Sequence, residues 1–170
     1  MKKILTYAVL ITVLFLLQCS FFPHFRLAEV SPNLMLILTA SAAIIDGSLE
    51  GCLVGFICGL LMDLTYGDTP GLYALGCLII GYAAGNVSRL IYKEDITLPL
   101  IVISASDLFY GLYVFLAGFL IRGRTSFIFY FRRIILPEVV YTAIIAIFLY
   151  RLILYILLRL KGKGSEKFIV

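Results

Sequence analysis

The chain has 170 residues, of which 62% are apolar and 14% charged, with a formal net charge of +4. Soluble domains carry about one quarter charged and about one half apolar residues, which excludes a soluble core and leaves one polytopic membrane domain over residues 1–160. The positive charge is no nucleic-acid signal, because its basic residues stand at the ends of apolar runs, where they set topology or meet anionic membrane lipid. Cys19, Cys52, Cys58 and Cys77 all lie within apolar runs with no CxxC pair, and His24 is the one histidine. That pattern excludes a zinc site and reads as free thiols packed as small apolar groups.

Lys2-Lys3 precedes an apolar run of 19 residues at 4–22. The run is longer than a signal-peptide core and no small-x-small cleavage site follows it. Gln18 stands before Cys19 where a lipoprotein site needs a small residue, so the reading is a retained first transmembrane helix. A loop at 23–32 carries His24, Arg26 and Glu29, with His24 read as a surface residue. Residues 34–45 make the shortest apolar segment, of a length that suits a short or re-entrant helix.

Asp46-Gly47-Ser48 turns the chain into a helix at 49–66. There Gly51, Gly55, Gly59 and Asp63 recur every four residues and fall on one stripe of the helix. Each glycine weakens a helix by about 1 kcal/mol relative to alanine in water. In hydrocarbon, such a stripe is a groove for the close approach of another helix. The run contains no proline, which favours packing over the broken helix of a transporter. Gly67-Asp68-Thr69-Pro70-Gly71 reverses the chain, and the span expected at 72–91 carries its own small pair, Gly81 and Gly85. The expectation is a packed hairpin on which the other segments lie.

Tyr92-Lys93-Glu94-Asp95 is a charged turn. Residues 96–121 are long enough to span with tilt, with Pro99 near the start and Asp107 about mid-depth. Arg122-Gly123-Arg124 ends that span. Phe127-Ile128-Phe129-Tyr130-Phe131, between Arg124 and Arg132-Arg133, has the makings of an interfacial segment. Residues 134–158 form the last span, with Pro137 in its first turn and Arg151 near its end. The basic tail at 161–170 is expected to be cytoplasmic and mobile.

The fold class is therefore all-α: a compact bundle of six transmembrane helices, the second short or re-entrant. Six spans place Lys2, Lys3, Arg89, Lys93, Arg159, Lys161, Lys163 and Lys167 on one side, and Arg26, Arg122, Arg124, Arg132 and Arg133 on the other. The positive-inside rule then puts both termini in the cytoplasm.

Intramembrane acids are functional candidates by default. Asp46 and Glu50 are four apart and face one way, where helix-start capping also accounts for them. Glu138 follows Pro137 with the same helix-start character. Asp63 sits a turn from the outer end of its helix. Asp107 is deep enough to need a hydrogen-bond partner or a proton. No nucleophile–base pair, metal-ligand spacing or phosphate loop is present, so no catalytic residue, cofactor or metal is assigned.

Taken in order, these residues resemble the rod shape-determining protein MreD family of bacteria over nearly the whole chain. The resemblance rests on Pro32-Asn33-Leu34, the Glu50–Gly51 to Asp63 motif, and the Gly67 to Pro70-Gly71 turn. It continues with Gly81-Tyr82 and Gly85, and with Arg133 to Pro137-Glu138 opening the last helix. Tyr141-Thr142 stands in place of a Tyr-Asn-like pair. The resemblance implies a non-enzymatic, multi-pass inner-membrane scaffold of the cell-elongation machinery. It would bind the single-span protein MreC and, through it, MreB and the RodA–transpeptidase peptidoglycan synthase. The family also looks similar in fold to the substrate-binding subunits of energy-coupling-factor vitamin transporters.

In the scaffold reading, the surface around Gly51, Gly55 and Gly59 holds a partner helix, and a homodimer is possible. An alternative is a small-molecule or lipid-binding membrane protein of the vitamin-capture type, although Ala8 and Thr12 are a poor match to the alanine face such subunits use for docking. A third reading is a proton-coupled transporter using Asp63 and Asp107.

Overall fold

A computed structural model describes residues 2–22, 30–66, 70–87, 97–122 and 127–161. His24, Arg26, Glu29, Gly67, Asp68, Thr69, Arg89, the 92–95 turn, Arg124 and the expected mobile tail beyond Lys161 lie outside them. The described chain is helical: α1 (Lys2–Leu16), α2 (Leu34–Asp46), α3 (Ser48–Tyr66), α4 (Leu72–Val87), α5 (Thr97–Arg122), α6 (Phe127–Tyr130) and α7 (Leu136–Lys161). Lys3–Phe21, Ser48–Tyr66, Thr97–Gly118 and Ile128–Arg159 are each long and apolar enough to cross a bilayer, and α2 and α4 are apolar but shorter. This is an all-α, polytopic membrane protein.

The shortest segment proves to be the centre. α2 touches α1, α3, α4, α5 and α7, and every residue from Leu34 through Ile45 is buried. At 1.5 Å per residue its 13 residues reach about 20 Å, well under the roughly 30 Å of hydrocarbon. Encased by protein on all sides, it has no need to match the bilayer. Three backbone donors at its buried start have partners. The Asn33 side chain accepts from Leu36 N–H (3.1 Å), Gln18 Oε1 accepts from Met35 N–H (3.1 Å), and Thr142 Oγ1 of α7 accepts from Asn33 N–H (3.2 Å). Unpaired donors there would cost about 1–3 kcal/mol each.

Two helices carry π-helical turns, Leu17–Phe21 after α1 and Phe131–Ile135 between α6 and α7. Pro137 explains the second. It has no N–H to offer the carbonyl one turn back, and the ladder before it widens, with Leu136 N–H reaching Phe131 O. The aromatic segment expected as a separate interfacial piece is thereby joined to the last span. α4 is helical through Val87, and residues 88–91 of the span expected there lie outside the described residues.

Candidate functional site

The glycine stripe of α3 faces α4. A Cβ on Gly81 would overlap the Gly51 carbonyl, and one on Gly59 would overlap Ala74 Cα. A Cβ on Gly55 would stand 2.5 Å from the Cys77 carbonyl oxygen, and one on Gly85 would overlap Ser48 Cα. The groove is occupied within the chain, by α4, with Ala43 of α2 also against Gly51. Gly71 packs against nothing; its φ of +93° serves the turn into α4.

Asp63 caps that same helix. Its Oδ2 accepts from Gly71 N–H (3.1 Å) and Ala74 N–H (3.0 Å), and its Oδ1 from Tyr73 N–H (2.9 Å). A carboxylate is favoured at the positive end of a helix, and here it satisfies donors that would otherwise be orphaned. This engages both oxygens and gives Asp63 a structural task.

At the end of the bundle that holds the N-terminus, Gly47 (φ +108°) breaks the chain between α2 and α3. Asp46 therefore closes α2 rather than opening α3. It still converges with Glu50: Lys3 Nζ lies 3.2 Å from Asp46 and 3.1 Å from Glu50, and Tyr7 Oη donates to Asp46 at 2.6 Å. Beside this cluster an apolar groove of about 600 Å³ runs between α1 and α3, lined by Ala8, Ile11, Leu53 and Ile57 among others.

The opposite end holds a half-open cleft of about 250 Å³. Gln18, Asn33, Tyr66, Tyr73, Tyr110, Tyr130 and Glu138 line it. Asp107 lies one turn from Tyr110 and Gly111 on the same face of α5 and is 2% exposed. Neither of its oxygens makes a hydrogen bond, although the Thr142 hydroxyl is beside it. Glu138 is near enough for charge on one carboxyl to bear on the other. The sequence does not mark Gln18, Thr142 and the tyrosines as parts of one site, because residues so far apart in the chain give no local pattern. No group of three metal-capable side chains comes together among the described residues.

These features define an integral membrane protein built from an internally packed helical hairpin, a sheathed central helix and a polar cleft at one end. Residues 1–161 match the family model of the rod shape-determining protein MreD. The chain belongs to this family, a shape-determining rather than an enzyme family. No curated protein and no solved structure gave a match.

Proposed function

We propose that this protein is a non-enzymatic scaffold of the bacterial cell-elongation complex. In the cytoplasmic membrane, with both termini inside, it holds the transmembrane helix of an MreC-type single-span protein. Through that partner it links peptidoglycan synthesis by RodA and its transpeptidase to the MreB cytoskeleton. The observation that carries this reading is the family match along residues 1–161.

The surface assigned to the partner is the α1–α3 groove. It is apolar, and exposed Ile4, Leu53 and Ile57 border it. Since α4 fills the glycine stripe, the stripe acts indirectly, by fixing α3 as one wall of the groove. Packing of side chains rather than water release drives helices together in lipid, so bulk placed in the groove should separate the pair.

Co-purification with an MreC-type partner tests this. Ala8→Trp and Ile57→Trp should each reduce capture, while Phe148→Trp on an exposed position of α7 should not. Full capture by both groove variants would remove the groove from the proposal. Failure of the unaltered chain to capture the partner would remove the scaffold reading itself. Cross-linking of two copies through the groove would reassign that face to a homodimer.

A further inference from the structure

The cleft at the end opposite the N-terminus plays no part in the scaffold reading, yet its lining is chemically selective. Tyr66, Tyr73, Tyr110 and Tyr130 come from four different helical segments. They surround a space bordered by the Glu138 carboxyl, with the Tyr73 and Tyr110 ring centroids 6.3 Å apart. Behind Glu138 lies Asp107, buried and without a hydrogen bond. Among the described residues, no ion pair reaches either acid. Two neighbouring carboxyls without a cation are costly in a low-dielectric bundle. An anionic guest would meet two acids and no base.

The remaining polar groups narrow the class further. Gln18 and Asn33 use their side-chain oxygens on Met35 N–H and Leu36 N–H. Their amide NH2 groups remain as donors at the cleft, suited to an oxygen on the guest. Aromatic rings around a carboxyl form the usual enclosure for an ammonium group, held by cation–π attraction and charge. A volume of about 250 Å³ admits a compact guest and is just under the roughly 300–1,000 Å³ of small-molecule sites.

We infer that this cleft binds an ammonium group carrying a nearby oxygen acceptor, with Glu138 and the tyrosine rings holding the cation and Gln18 and Asn33 the oxygen. The same chemistry is offered by the headgroup of phosphatidylethanolamine and by a free amino alcohol. Asp107, one turn from Tyr110 on α5, stands behind the site rather than in its lining.

The full chain, in nanodiscs of phosphatidylglycerol alone, is titrated with ethanolamine and followed by saturation-transfer NMR. In parallel, native mass spectrometry reads which lipid stays bound after extraction from a phosphatidylethanolamine–phosphatidylglycerol mixture. Saturable binding in either arm, weakened at least about tenfold by Glu138→Gln and by Tyr110→Leu but little by Tyr110→Phe, is the expected result. Binding of ethanolamine assigns a free amine. Retention of phosphatidylethanolamine without ethanolamine binding assigns the lipid. Absence of both, or binding indifferent to Glu138→Gln and Tyr110→Leu in variants that elute as folded protein, overturns the site.

Discussion

The two ends of the bundle treat buried acids in opposite ways. At the N-terminal end, Asp46 has a 1% exposed side chain, yet Lys3 and Tyr7 both reach it. At the other end, Asp107 is as deeply buried and makes no hydrogen bond, with a second acid, Glu138, for a neighbour. Asp63 sits at that same end and accepts three backbone N–H bonds. Depth in the membrane is therefore a poor guide to what an acid does. What separates these residues is whether the chain itself supplies the partner. Asp46 and Asp63 hold elements together, whereas Asp107 makes no hydrogen bond, and among the described residues no cation meets it or Glu138.

The seam joining the two ends gives the largest expected effect. Gly81→Leu sets a side chain against the Gly51 carbonyl, where backbone cannot yield, and should cost more than about 3 kcal/mol. Size-exclusion of detergent-solubilised protein should show loss of the folded peak, taking both ends together. Asp63→Ala should follow at about 2–3 kcal/mol, since the start of α4 loses its acceptor. Thermal unfolding in detergent reads that loss.

The sharpest comparison is Asp46→Asn against Asp107→Asn. The first weakens charge-assisted contacts and should cost about 1–2 kcal/mol. The second removes an unpaired buried carboxyl and should leave stability unchanged or raise it by about 1 kcal/mol. Equal losses at the two positions would break the contrast. Lys3→Met should be the mildest, at about 0.5–1 kcal/mol, because the Lys3 side chain is 43% exposed and its charge largely screened.

The fold class and the sequence of helices can be read from apolar run length and turn residues, because those are local properties. The α2 segment shows where such reading stops. Burial on every side leaves no amphipathic stripe, so in the sequence the central helix reads only as the shortest apolar segment. Glycine spacing at Gly51, Gly55 and Gly59 marks a close approach but not what approaches, which needs the crossing of α3 with α4. Asp107 and Glu138 stand out in the sequence as acids in apolar runs. The cleft beside them does not, since it gathers residues from Gln18 to Glu138 that meet only through tertiary packing. The widened turn before Pro137 follows from a missing donor. Its reach across Phe131–Ile135 depends on how the flanking segments dock.

The sheathing of α2 has a mechanical consequence. A helix that touches only other helices is insulated from changes in bilayer thickness, which act on the outer spans through tilt and hydrophobic mismatch. Thinning or thickening of the membrane would then re-angle α1 and α7 around a stationary post. Asn33, at the head of that post, borders the cleft, so one rim stays fixed while the others swing.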